Sequence, residues 1–299
     1  MSFSAYFIAV LCVLSTLSNI FICLTMVINK MFKRSQDLLI LLLAFSDFVV
    51  SVILMPTDVY ILLKCDKSKP FGQRCSLMID KVFEALWLAI LPVPNLVILL
   101  MSLERFIAIK SPYRYISNKR KKIGTVYLVL WCYSTVFFFV LYFTRTTDKE
   151  YYSNVTFWID FFHMLFGLGL PFSTNLLLYC YILSQVLKQR RSIKEQNSAV
   201  RTSLSEPPST LDQMKENVKR NKVFIYITVA FLVLMAPYVT YFSYFQLTSE
   251  EQFPDCHVPI AHLLSTLLYF NSFCNIFIYG ASSKVFRKSL VKLLCGRTD

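Results

Sequence analysis

Charge is scarce in this chain, and so is the equipment of catalysis. Charged residues make up 16% of 299, against about 25% in an average soluble domain. Three His are present: His163, His257 and His262. The last two stand five apart, a poor spacing for a shared metal. No Gly-rich phosphate loop, metal-ligand cluster or Ser-His-Asp arrangement is legible, so the sequence points to no enzyme, no metal and no cofactor. The first apolar run lacks a basic leader and a small-residue cleavage site and is too long for a signal core. The expectation is a retained first helix that also serves as targeting signal.

Apolar surface is abundant instead. The hydrophobic fraction is 56% and the mean hydropathy +0.52. A soluble fold of this size could not hide so much apolar surface, whereas a lipid-facing one need not. A spanning helix needs about 20 mostly apolar residues. Seven such runs occur, at about 6–29, 37–63, 78–109, 123–144, 158–185, 221–247 and 259–280. The expected fold is an all-α membrane protein, a seven-transmembrane helix bundle over 1–281. A short amphipathic eighth helix and tail follow over 282–299, where Val285, Phe286, Leu290, Leu293 and Leu294 share a face opposite Lys and Arg. Cys295 at its end is a candidate palmitoylation site.

The net charge of +13 resembles a nucleic-acid footprint until it is mapped. Of the 31 Lys and Arg, 23 fall in 30–36, 110–122, 186–222 and the tail. The positive-inside rule then puts the N-terminus outside and the C-terminus in the cytoplasm, with the basic loops near anionic lipid. Nucleic acid is not an expected partner. The stretch 189–218 is polar, contains Ser203-Leu-Ser-Glu-Pro-Pro-Ser-Thr210, and reads as a flexible cytoplasmic loop. The sequon Asn154-Val-Thr156 falls on the outer side, where a glycan could be added.

Ionisable groups inside a bilayer are costly, so each needs a reason. Asp47 sits mid-helix in Leu42-Leu-Ala-Phe-Ser-Asp47, with Asn19, Asn271 and Asn275 at comparable depth. Interhelical hydrogen bonding is one reading, worth about 0.6–2 kcal/mol per bond. A hydrated polar core that rearranges on activation is the other. Glu104-Arg105-Phe106 ends the third run and is followed by Pro112 and Tyr115. Taken alone, that pair could be interfacial snorkelling.

Read in order, these residues resemble the rhodopsin-like (class A) G-protein-coupled receptors over nearly the full length, as a divergent member. Asn19 stands for the helix-one Asn and Asp47 for the helix-two Asp. Glu104-Arg105-Phe106 is similar to the Asp/Glu-Arg-Tyr motif, with Pro112 and Tyr115 at the expected spacing. Trp131 matches the helix-four Trp, Pro171 and Tyr179 the helix-five pair, and Phe231 and Pro237 the helix-six pair. Asn275-Ile-Phe-Ile-Tyr279 looks like Asn-Pro-x-x-Tyr. The resemblance implies a receptor for an extracellular ligand at the plasma membrane that acts on heterotrimeric G proteins. Arg105, paired with Glu104 at rest, would swing to the partner when the inner face opens, with Tyr179 and Tyr279 meeting near it. Pro171 and Pro237 would act as hinges.

The sequence also departs from the family. Ile276 replaces the helix-seven Pro, so that helix should be straighter. Met235 stands where many members have a Trp. Pro92 and Pro94 fall inside helix three, and Pro94 occupies the place of a sodium-binding hydroxyl. Asn217 stands where an acid often pairs with Arg105, and Glu216 is adjacent. The family's usual disulfide cannot form, because 145–160 contains no Cys. Cys65 could pair with Cys75 across a nine-residue loop, the favoured reading, or Cys75 with Cys256.

By family position, the ligand pocket should be lined by Trp87, Leu88, Leu91, His163, Gly167, Met235, Tyr238, Val239, Phe242, Ser265 and Tyr269. Trp87 replaces the Asp of monoamine receptors. Asp80, Glu84 and Trp87 share a helical face, and Asp58 and Asp160 complete an acidic mouth. The reading leans toward a cationic peptide or amine. Pairing of these acids with Lys64, Lys67, Lys69, Arg74 and Lys81 is the structural alternative, and a lipid or apolar ligand also fits the aromatic wall. Two other functions stay open. One is a non-coupling seven-helix decoy or scaffold; the other is a transporter or channel, for which no inverted repeat is legible. Only Gly-Arg-Thr-Asp299 follows Cys295, so any arrestin contact is expected through phosphorylated Ser and Thr in 189–218.

Overall fold

The computed structural model describes residues 3–64, 77–110, 119–146, 153–202, 209–248 and 257–295. Among the described residues all regular elements are helical, and seven helices are long and apolar enough to cross a membrane. They coincide with the seven apolar runs, and the chain is a multi-pass membrane protein. Helix one is Phe3–Ile28 and helix two Ser35–Lys64. Helix three is built of Leu77–Ile90 and Pro92–Lys110, and helix four is Lys119–Thr146. Helix five runs from Ser153–Met164 into Leu170–Thr202. Helix six is Ser209–Thr248, helix seven His257–Ser282 and helix eight Lys284–Cys295.

Helix three is the hub, packing on helices two, four, five and six, while helix seven packs on one, two and six. Helix three buries 72% of its apolar window and helix four 17%. That contrast separates the protein core from the lipid boundary. Helix four turns Leu128, Val129, Val136 and Phe143 outward, which lipid tolerates because it is as apolar as they are.

Proline explains the irregular turns. A helical Pro offers no N–H to the carbonyl four residues back, and its ring presses on that carbonyl. Helix two opens into a π turn at Val50–Leu54, just before Pro56. Helix five does the same at Leu165–Gly169, just before Pro171. Such local widening is a known response to an interrupted hydrogen-bond ladder. Helix three stops at Ile90 and restarts at Pro92, so Pro92 and Pro94 fall in the first turn of the second segment, the helical position that best tolerates proline. Helix seven, with Ile276 in place of Pro, runs unbroken as expected.

The connection expected as a loop over 189–218 is largely helical, which corrects that expectation. Helix five continues to Thr202 and helix six begins at Ser209. Residues 190–202 are rich in Arg, Lys, Glu and Gln, good helix formers. The sequence offers no strong breaker until Pro207-Pro208. Ser203 and Ser205 lie outside the described residues. Helix eight is fastened at its start. Ser283 Oγ accepts the Phe286 N–H at 3.2 Å, an N-cap bond. Arg287 donates to the Gly280 and Ala281 carbonyls at 2.9 and 3.1 Å, closing the end of helix seven. Phe286 is buried against Tyr279, ring centroids 6.0 Å apart.

Candidate functional site

Three groups of polar and aromatic side chains lie along the bundle axis. At one end of helix three, the buried Arg105 donates from Nε to Glu104 Oε2 at 2.8 Å. Its Nη1 reaches Asn221 Oδ1 on helix six at 3.4 Å. Helix six therefore answers this arginine with a neutral amide. The position expected to matter was Asn217; Asn221 is one turn further on the same face, and the side chains of Glu216 and Asn217 are not among those described. Phe106 packs edge-on against Tyr181 of helix five at 5.1 Å and carries Lys110 Nζ over its ring at 5.4 Å.

Midway along the bundle, Asp47 is fully buried. Its Oδ1 accepts from Ser272 Oγ at 2.7 Å and its Oδ2 from Asn275 Nδ2 at 2.6 Å, both on helix seven. Asn19 donates to the Ser272 carbonyl at 3.1 Å and to the Ser15 carbonyl at 3.0 Å. Helices two and seven are thus joined through one carboxylate, whose burial would be prohibitive without such donors, and helix one joins through the Ser272 carbonyl. Asn271 is half-buried on helix seven. Deeper toward helix five, Ser102 donates to Asn175 Oδ1 at 2.5 Å.

At the other end, the break in helix three exposes backbone acceptors, and neighbouring helices use them. Pro92 supplies no N–H for the Leu88 carbonyl, which is met by His163 Nε2 of helix five at 2.6 Å. A carbonyl only accepts, so Nε2 carries the proton; Nδ1 lies 3.4 Å from the Tyr133 hydroxyl. The His163 ring stacks on Phe137 of helix four at 4.0 Å. The adjacent Ala89 carbonyl accepts from Ser134 Oγ of helix four at 2.7 Å. Gly167, in the π turn of helix five, lets the Pro92 ring come close: a Cβ there would sit 3.2 Å from Pro92 Cγ. His163 and Gly167, expected on a pocket wall, here fasten helices three, four and five together.

Beside this latch lies an aromatic box. Trp87 and Tyr238 have ring centroids 5.4 Å apart. Tyr269 of helix seven lies beside Trp87 and Asp58 of helix two. All four are buried, Asp58 with 4% exposure. Met235 is buried one turn from Tyr238 on helix six, and Leu88 and Leu91 are buried on helix three. Glu84, Val239 and Ser265 are half-buried. The backbones of Asp80 and Phe242 lie in helices three and six, but their side chains are not among those described. Asp160 is half-buried on helix five.

The remaining positions are scattered. Trp131 packs edge-on against Phe45 and Tyr127, at 6.4 and 6.3 Å. Pro171 is buried beyond the π turn, and Phe231 meets Phe172 at 6.3 Å. Pro237 is exposed and lies inside a continuous helix. Tyr179 is half-buried, while Tyr279 is buried against helix eight through Phe286. Pro112, Tyr115, Cys65, Cys75 and Cys256 lie outside the described residues. Asn154 and Cys295 fall in helices five and eight, with side chains not described.

Ser272, Asn221, Asn175 and Ser134 were not singled out from the sequence. Ser272 is three residues before Asn275 and so shares its helical face, a signal that could have found it. The partnership of His163 was legible in principle, because Pro92 leaves the Leu88 carbonyl without its helical donor. Ser134 carried no such mark.

A family model described as 7 transmembrane receptor (rhodopsin family) matches residues 18–279. Among curated proteins, human histamine H2 receptor is 24% identical over 301 residues, covering 97% of this chain and 79% of that receptor. Mouse probable G-protein coupled receptor 21 is 26% identical over 200 residues, 64% of this chain. The matched stretch spans only about half of that relative, 55% of its length. The helix order, the buried Asp47 group and a match over most of the chain agree, and the chain belongs to the rhodopsin family of seven-transmembrane receptors.

Proposed function

We propose that the chain is a G-protein-coupled receptor: an extracellular ligand bound at the Trp87 end changes the Arg105 end, which engages a heterotrimeric G protein. On this reading the Arg105 end faces the cytoplasm of a plasma-membrane protein, as the 23 basic residues of the loops and tail suggest. The observation that carries the proposal is the Arg105 group. A buried guanidinium bonded to Glu104 also reaches across the helix three–six seam to the Asn221 amide at 3.4 Å. A neutral acceptor binds a cation less strongly than a carboxylate does. A modest bias from a ligand can then open that seam and release Arg105 to a partner. Arrestin would dock on the same face through phosphorylated Ser and Thr of 189–218.

The acidic residues near the opposite end, Asp58, Asp80, Glu84 and Asp160, favour a cationic peptide or amine as ligand. One of the relatives is named for the amine histamine, which agrees with that lean. The test is a panel of amines, basic peptides and lipids applied to cells carrying a promiscuous G-protein reporter. Wild type responds to at least one class, and Arg105→Ala loses that response at least tenfold at unchanged surface level. A surface-displayed wild type that answers no class would instead support the non-coupling decoy or scaffold, a reading that Met235 and Ile276 keep in view.

A further inference from the structure

We propose that Ser102, Asn175 and Thr228 bind a buried water where helices three, five and six meet, and that this hydrated site eases the parting of helix six from helix three. The water site stands on the side chains alone; its part in the switch rests on the receptor reading.

The three residues come from three helices, and each has 0% exposure. Ser102 Oγ donates to Asn175 Oδ1 at 2.5 Å, which ties helix three to helix five. An amide has two polar ends, and Asn175 Nδ2 has no hydrogen-bond partner among the described residues. Whichever end of the amide meets Ser102, the other is left over. Thr228 Oγ1 is likewise unmatched among the described residues. An aromatic pair sets the level of both. Phe172 of helix five meets Phe231 of helix six at 6.3 Å. Asn175 lies three residues after Phe172, and Thr228 three before Phe231. Consecutive spanning helices run in opposite directions, so both offsets point the same way, about 4.5 Å toward the Arg105 end. Helix three is level with them through the Ser102 bond. Thr228 is also seven residues from Asn221 and shares its face, the face that meets Arg105 at 3.4 Å.

A buried polar group without a partner is unfavourable by about 1–3 kcal/mol, so two at one level call for a physical reason. One water supplies it. The water accepts from Asn175 Nδ2 and donates to Thr228 Oγ1, and the Ser102 oxygen offers a further acceptor. A buried water needs about 2–4 such partners and a little room. The layer is built of short side chains, with the Phe172–Phe231 pair on one side of it and Phe106–Tyr181, 5.1 Å apart, on the other. A metal cation fits poorly, because an amide N–H points its positive end into the site and no carboxylate faces it among the described residues. The site matters because of where it sits. Ser102 is three residues before Arg105 on helix three. When helix six moves away, a dry apolar seam loses its contacts outright. A bridged seam instead exchanges one water-mediated bond for another at little enthalpic change.

The test uses the purified full chain in nanodiscs and reads three quantities. Radiolytic labelling generates hydroxyl radicals from bound water in place, so a buried ring is marked where a water lies next to it. Phe231, at 1% exposure, should be marked in wild type. Asn175→Leu/Thr228→Val keeps the side-chain shapes and removes the polar ends, while Ser102 retains its bond to the Ile98 carbonyl. Marking of Phe231 should fall several-fold in that variant. Its Tm should hold or rise, since apolar replacement of unmatched polar groups is neutral or stabilising. Basal nucleotide exchange on G protein should fall several-fold. A merely structural pair would instead lower Tm and leave exchange per folded receptor unchanged. Thr135→Val, the same chemical change on an exposed face of helix four, should move none of the three. Should the double variant fail to reach the membrane, Thr228→Val alone gives the same signs at smaller size. An unmarked Phe231 in wild type, or marking that survives both variants, would overturn the water site. A falling Tm with unchanged exchange would overturn its part in the switch. Labelling needs no G protein, so the two readings fail separately: a marked Phe231 in a chain that drives no exchange keeps the water and sinks the coupling, and exchange with an unmarked Phe231 does the reverse.

Discussion

The two ends of helix three are fastened by different chemistry. Near Trp87, side chains of helices four and five bond directly to its backbone: His163 to the Leu88 carbonyl at 2.6 Å and Ser134 to the Ala89 carbonyl at 2.7 Å. Near Arg105 the crossing to helix six is made by two long side-chain reaches, closing at 3.4 Å on an amide. A backbone acceptor cannot choose another rotamer, whereas a side-chain pair can part with small change elsewhere. The first arrangement suits a fixed frame and the second a switch.

Variants can break or sharpen this contrast. His163→Ala should have the largest effect on stability. It strands the buried Leu88 carbonyl and removes a ring stacked at 4.0 Å on Phe137, a loss of about 3 kcal/mol. A Tm falling by several degrees with surviving protein still able to signal is expected; an unchanged Tm would mean the frame is not held there. Next comes Ser272→Ala, which removes one of the two donors gripping Asp47. About 2 kcal/mol is expected from a buried charge left partly unmatched, read as a drop in Tm together with altered basal signalling. Gly167→Ala should cost about 1–2 kcal/mol, because its methyl would meet the Pro92 ring at 3.2 Å and neither turn can yield freely. The smallest effect belongs to Asn221→Asp. A carboxylate facing Arg105 would strengthen the resting contact by about 1 kcal/mol, and basal G-protein signalling should fall roughly fivefold with little change in Tm. A rise in basal signalling would place Asn221 outside the switch.

Much of this architecture was legible before any coordinates. Seven apolar runs gave seven helices, because bilayer thickness sets a length that composition makes visible. The buried Asp47 was legible for the complementary reason: an acid among Leu, Ala and Phe has to be matched. Its partners were only half legible, Asn275 by its chemistry and Ser272 by its three-residue spacing from Asn275. The Pro92 break was visible as an oddity, but its consequence was not, since the donor that answers it arrives from His163, 75 residues away. The region between helices five and six misled because polarity resembles a loop even when propensity favours helix. The grouping of Asp58 with Trp87, Tyr238 and Tyr269 depends on four helices meeting, which no local pattern encodes.

The account stands most directly on one measurement: the rate of nucleotide exchange on purified heterotrimeric G proteins in the presence of the reconstituted chain, wild type against Arg105→Ala. Wild type should accelerate exchange at least tenfold over G protein alone with one or more G-protein classes, when supplied with the ligand class that activates it in cells. Arg105→Ala should return the rate to baseline while still reaching the membrane folded, with an unchanged Tm. Exchange that is equally fast with Arg105→Ala, or that wild type leaves at baseline for every G-protein class, would contradict it.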